Sequence, residues 1–246
     1  MSNIPRYAAA SDGSAPSPLV WDQIPLLEIM QRPSAGYGFY DDFINGFADD
    51  SSGTTVANWI ADYVGGAGVF TPGNAAGGGV IFDPSDVDGR GLQISKQEFV
   101  LPAAGTKIAF GASVSVGDAD DCDLFVGLTT IDTDILGSNA NDVLGFIVAD
   151  GSANINYLVR KDGSGDATDT TADLANETTV RLEAVIDDTG SMKFYVDGAL
   201  KITSTSGNID TGEEMSFAIG YLVGASTATA TATVNWAYCY QWSEVD

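Results

Sequence analysis

Residues 38–246 are predicted to form one antiparallel β-sandwich, and three observations carry that expectation. Apolar and polar residues alternate with period two in segment after segment from Tyr37 to near the C-terminus. No stretch of comparable length alternates with helical period. The 29 glycines, and the 27 aspartates among 34 acidic residues, supply the turn chemistry that many short strands require.

The segments before the sandwich read differently. Residues 1–37 hold Pro5, Pro16, Pro18, Pro25 and Pro33, most of the 8 prolines of the chain. "AAASDGSAPSP" is small, polar and extended in character. "LVWDQIPLLEIMQRP" follows, with a short helix expected from Pro25 to Gln31, stopped by Pro33. An N-terminal arm this apolar must be buried, either back on its own domain as a strap across one sheet or on a neighbouring subunit or partner. Trp21, Ile24, Leu27, Ile29 and Met30 are the residues expected to make that attachment.

The strand segments then run in order: "GFYDDF", "DYVGGAGVF", "GGVIF", "GLQIS", "QEFVLP", "KIAFGASVSV", "DLFVGLTTI", "DVLGFIVAD", "NINYLVRK", "TTVRLEAVID", "SMKFYVD", "ALKITST", "EMSFAIGYLV" and a long final strand. One exception is "SSGTTVANWIADY", where Thr54 to Ile60 fit a helical turn. "GGAGVFTPGNAAGGGV" has no Lys after its glycines, which argues against a phosphate loop, and reads as a long flexible connection.

The segment Val180–Ile202 raises the question of whether Asp187, Asp188 and Asp197 form a catalytic or metal cluster. Alternation places Val180, Leu182, Ala184 and Ile186 on one face, with Arg181, Glu183 and Asp187 on the other. "DDTG" is then a hairpin loop with Gly190 at positive φ, and Asp197-Gly198 a type I′ turn. Met192, Phe194 and Val196 face the core, and Leu200 and Ile202 continue that face. Turns account for all three aspartates.

In the last strand the even positions, Ala228 to Trp242, grade from small to aromatic, opposite a mostly polar row. A bulge or break is expected near Ala228–Ala230, because an unbroken strand would span roughly 55 Å. The row Trp236, Tyr238, Trp242 is expected to end in the core; the alternative is a sugar-stacking platform.

The hairpin "DDTGSMKFYVDGALK", the paired "VGL" and "GF" strands, and the early "YDDF" with its closing aromatic strand resemble the concanavalin A-like jelly rolls, laminin G-like domains in particular. That resemblance implies an all-β antiparallel jelly-roll sandwich over roughly residues 38–242. The opening "GFYDDF", the small-residue-rich strands and the absence of a signal-peptide pattern are similar to structural proteins of tailed bacteriophages, several of which add an N-terminal arm to such a jelly roll. This second resemblance implies a capsid decoration protein on the outer shell, with the major capsid protein as partner. A homo-oligomer, a trimer for instance, is in keeping with such a role.

Composition narrows the chemistry. The chain has no histidine, which removes Ser-His, Cys-His and imidazole–zinc sites. A net charge of −24 opposes nucleic acid and anionic membrane surfaces. Cys122 and Cys239 are expected to be free buried thiols, no apolar run is long enough to span a bilayer, and the N-terminus lacks the pattern of a signal peptide. The jelly-roll glycosidases carry Glu-x-Asp-x-x-Glu, and this spacing is absent, so no catalytic residues or cofactor are expected. Asp118, Asp120, Asp121 and Asp123, with Asp132, Asp134, Asn139, Asn141 and Asp142, are oxygen-rich enough for calcium, but they match no EF-hand spacing and read as solvated loops. The expected function is therefore a non-enzymatic virion protein, the alternative a carbohydrate-binding module or receptor-binding adhesin.

Overall fold

The structure is a computed structural model that describes residues 15–32, 34–43, 58–66, 68–75, 78–100, 105–130, 135–136, 142–165, 167–205, 213–224 and 231–243. Two short helices, α1 (Pro18–Trp21) and α2 (Leu26–Gln31), precede the strands. The first strands are β1 (Gly36–Asp41), β2 (Ile60–Val64), β3 (Val69–Ala75), β4 (Gly78–Asp83), β5 (Gly91–Val100), β6 (Thr106–Val116), β7 (Cys122–Thr129) and β8 (Val143–Val148). They are followed by β9 (Asn154–Arg160), β10 (Ala167–Asp173), β11 (Val180–Ile186), β12 (Ser191–Val196), β13 (Ala199–Thr205), β14 (Glu214–Val223) and β15 (Ala232–Ser243).

These strands form two antiparallel sheets packed face to face, as predicted. Sheet I runs β13-β12-β11-β6-β15-β4-β3, with β1 also on β15; sheet II runs β10-β9-β8-β7-β14-β5-β2. The first and last strands lie side by side, Gly36 opposite Trp242 and Asp41 opposite Ala237. Between the sheets sit Phe82, Phe110, Phe146, Phe194, Phe217 and Tyr221, all fully buried. Fully burying one such side chain contributes about 1.5–3 kcal/mol, so the sandwich interior dominates stability. Cys122 and Cys239 lie in this core as free thiols.

At one side the layers are closed by an ion pair. Lys96 Nζ lies 3.3 Å from Asp41 and over the rings of Phe39 and Trp59, at 4.9 and 5.0 Å. Trp59 Nε1 donates to the same carboxylate at 2.9 Å. A half-buried cation between two ring faces and a carboxylate is satisfied on every side.

Some sequence expectations are corrected here. "DYVGGAGVF" is not one strand: its first half is β2 in sheet II and its second half opens β3 in sheet I. The Gly-rich run read as a flexible connection contains β3 and the start of β4, with Pro72 opposite Val80. "GLQIS" and "QEFVLP" merge into β5. Of the helical turn expected at 54–60, residues 54–57 lie outside the described residues, and Ile60 opens β2. The Ala228–Ala230 region also lies outside them; β15 begins at Ala232 and its bulge falls between Val234 and Trp236.

Candidate functional site

That bulge decides where the aromatic row points. Asn235 is the extra residue: Val234 pairs with Val114 and Trp236 with Ser113, so the strand gains one residue against β6. One extra residue reverses which face each following side chain occupies. Ala232 and Val234 face the sandwich core, and after the bulge Ala237 and Cys239 do. Trp236, Tyr238 and Trp242 therefore face outward from sheet I, together with Tyr240, which corrects the expectation that the row ends between the sheets.

The row is nevertheless buried, because the N-terminal arm lies across it. Trp236 and Tyr238 stack with centroids 5.7 Å apart and planes at 21°, and Tyr40 of β1 stacks on Trp236 at 6.4 Å. Trp21 enters this ladder edge-on, 5.1 Å from Tyr238, 5.7 Å from Tyr40 and 6.0 Å from Tyr240. Val20, Ile24 and Ile29 close over Ala109, Val185 and Tyr195. Trp236, Tyr238 and Trp242 retain 4%, 0% and 4% of their accessible surface, which leaves no open ring face for a sugar. Of the arm residues singled out from sequence, Trp21, Ile24 and Ile29 pack on the chain's own sheet, whereas Leu27 and Met30 point outward, 69% and 81% exposed.

A polar clamp fixes the entry of the arm. Arg181 and Glu183 stand two apart on the outer face of β11. Arg181 donates to Ala15 O at 2.9 Å and to Asp197 O at 2.9 Å. Glu183 accepts the backbone N–H of Ser17 on both oxygens, at 3.0 and 3.1 Å, and the Tyr238 hydroxyl at 2.9 Å. Ser17 in turn caps α1, its Oγ accepting from Leu19 N. Room for the carboxylate comes from Gly111 on β6, where a Cβ would meet Glu183 Cγ at 2.8 Å. Burial drives the Glu183 pKa up to about 7, against the hydrogen bonds from Tyr238 and Ser17 and the charge of Arg181. The sequence placed Glu183 on the outer face without showing that the arm seals it there; the one signal is a glycine facing it across the pair Glu183–Gly111.

Several of the other candidate acids hold turns and loops. Asp187 accepts from Thr189 N and Ser191 N, each at 2.9 Å, and Asp197 and Gly198 both take positive φ, 51° and 77°. These are the expected turns. Asp123 accepts from Asp150 N at 2.9 Å, and burial followed by the neighbouring charges of Asp118, Asp150 and Asp120 raises the Asp121 pKa. Among the described residues no group of three or more acids or cysteines is placed to hold a metal ion. Asp132, Asp134, Asn139 and Asn141 lie outside them, and Asp142 accepts from Asp162 N at 3.0 Å. On the outer face of sheet II, Ile135 packs with Phe125, Val143, Leu158 and Ala218, and its N–H is held by Gln93 at 3.0 Å.

No family model matches the chain, and no curated protein matches it. Among solved structures, a protein of unknown function from Shewanella oneidensis MR-1 is similar, with TM-score 0.59 and 12% identity over 91% of this chain and 96% of that one. The Emp46p carbohydrate recognition domain in its potassium-bound form has TM-score 0.56 and 7% identity over 84% and 96%. The Bacillus licheniformis β-glucanase has TM-score 0.54 and 16% identity over 85% and 99%. At these identities the likeness is one of fold, and with the strand order above it establishes that the chain is a concanavalin A-like jelly-roll sandwich.

Proposed function

We propose that this chain is a non-enzymatic structural protein that docks on the outside of a protein assembly through its arm, in its most specific form a bacteriophage capsid decoration protein bound to the major capsid protein. One observation carries the reading. The arm is fixed to its own domain by Trp21, Ile24 and Ile29 and holds Leu19, Leu27 and Met30 in solvent, 60%, 69% and 81% exposed. On a chain of net charge −24 these are apolar side chains left exposed on a positioned element, which supports an interaction surface there. An acidic jelly roll facing solvent would keep a crowded shell soluble.

The test uses particles assembled from a genome lacking this coding sequence, to which the purified chain is added back. Wild type is expected to bind in hundreds of copies per particle, and Leu27→Ser/Met30→Ser at least tenfold more weakly with unchanged melting temperature. Binding that survives this double change places the contact elsewhere; wild type that does not bind at all rejects the reading.

The second reading, carbohydrate binding, draws more from the structural comparisons than the virion reading does, since a carbohydrate recognition domain and a glucanase share the fold. It requires Trp236, Tyr238 or Trp242 to meet a sugar, and all three lie beneath the arm. A glycan array with the full chain, with and without calcium, is expected to give no hit. A hit that disappears in Trp236→Ala or Trp242→Ala would make this reading the better one.

A further inference from the structure

Glu183 is a fully buried carboxylate that neither reading of function uses. It lies at the centre of the face the arm covers, and the arm itself buries it: the backbone of Ser17 sits on its two oxygens. With the arm lifted, the same side chain would stand on an open sheet face and be hydrated. The groups that face it are few. Tyr238 approaches from β15, Tyr195 from β12 directly opposite, Arg181 from its own strand, Asp197 from the β12–β13 turn and the Ser17 N–H from the arm, while β6 presents Gly111 opposite it. The Tyr238 hydroxyl, the Ser17 N–H and Arg181 favour the ionised carboxylate and Asp197 opposes it, but the loss of water under the docked arm outweighs them. Docking the arm therefore acts selectively against the ionised form of one group.

We propose that the arm is a pH-sensitive strap, held tightest when Glu183 is protonated and loosened as Glu183 ionises, so that rising pH uncovers the aromatic face of sheet I. The helices of the strap are four and six residues long, too short to persist undocked, so release is a local unfolding of residues 15–32 rather than a rigid swing.

The direction follows from linkage. The docked pKa, about 7, lies above the ordinary value of 4.5, so the docked state binds the proton more tightly. The contribution of Glu183 to docking is then fully present below about pH 4.5 and is lost as pH rises through about 7. From about pH 5 to about pH 8 the opening equilibrium of the arm is expected to rise by about one to two orders of magnitude.

The experiment is hydrogen–deuterium exchange of residues 15–32 in the full chain at those two pH values, corrected for intrinsic exchange rates, for wild type and Glu183→Gln. Glutamine keeps an oxygen to accept from Ser17 and Tyr238 but carries no charge, so its opening is expected to be the same at both pH values. As a measurement independent of any variant, the ¹³C resonance of the Glu183 carboxyl in wild type is expected to titrate near neutrality. Opening of wild type that does not change with pH overturns the proposal, as does an equal pH response in Glu183→Gln. A Glu183 carboxyl that titrates in the ordinary glutamate range does the same.

Discussion

Replacing Trp21 with alanine is expected to detach residues 15–32 from sheet I while leaving the sandwich folded. Trp21 touches Tyr40, Tyr238 and Tyr240 edge-on, three of the rings that make the covered face continuous. The remaining apolar arm contacts come from Val20, Ile24 and Ile29, with Leu26 partly buried, beside the polar clamp at Ala15 and Ser17. Truncating an aromatic anchor in a packed site costs about 3–5 kcal/mol, and Trp21 is half-buried, so about 3 kcal/mol applies. That corresponds to roughly a 100-fold increase in arm opening. Because the sandwich core is built from other residues, the loss falls on the arm alone. Proteolysis between residues 15 and 32 should accelerate by about that factor, with the main melting transition shifted by only a few degrees. Leu27→Ala, at an exposed position, should change neither by more than about 0.5 kcal/mol. Unchanged cleavage in Trp21→Ala would mean that the ladder does not hold the arm; collapse of the whole domain would mean that the arm belongs to the folding core.

The fold was legible because strand alternation is local. Val180, Leu182, Ala184 and Ile186 face the core as their spacing requires, and Gly190 and Asp197-Gly198 turn the chain where turn chemistry puts them. What alternation cannot carry is phase across a bulge. Asn235 reverses the face of every later residue in β15, which moves Trp236, Tyr238 and Trp242 from the inside of the sandwich to the outside of sheet I. A second shift between Phe194 and Tyr195, accommodated at Lys201, does the same to Leu200: it pairs with Tyr195 and is 50% exposed, while Ile202 pairs with Phe194 and packs on the core. The local sequence marks the bulges only weakly: Asn235 is a residue depleted in strands and Lys201 slightly so, but no glycine or proline occupies either site.

The arm shows the same limit at longer range. Its apolar residues announce burial but not the surface that receives them. Glu183 lies 166 residues from Ser17, and no periodicity connects the two. The same distance explains why an acid on an alternating strand reads as solvent-facing. Its face is the solvent face of the sheet, and only the return of the arm makes it an interior. The sequence distinguished inside from outside of a sandwich with one layer per sheet; this protein adds a third layer over part of sheet I.

Alanine at Gly127 or Gly145 is expected to cost more than alanine at the open turn glycines Gly89, Gly105 and Gly151. The two face each other in the β7–β8 pair at the centre of sheet II. A Cβ on Gly127 would lie 2.6 Å from Gly145 Cα and closer still to Leu144 O; one on Gly145 would lie 2.8 Å from Gly127 Cα and closer still to Val126 O. Each obstruction is backbone, so no side-chain rotation relieves it, and the strands must separate where β14 and β9 are also paired. Overpacking of this kind costs about 1–3 kcal/mol, and backbone contacts place it at the upper end. For a domain of this size about 3 kcal/mol lowers the melting temperature by roughly 6–12 °C. Gly105 provides the contrast: its φ is 82° and nothing lies within 4 Å of its missing Cβ, so alanine there pays only the left-handed backbone, about 1–2 kcal/mol. Thermal unfolding followed by circular dichroism separates the cases. Gly127→Ala melting no lower than Gly105→Ala would show that β7 and β8 do not approach this closely. In the double change Gly127→Ala/Gly145→Ala, strands already forced apart by the first methyl accept the second at lower cost, so the two losses should sum to more than the loss in the double variant.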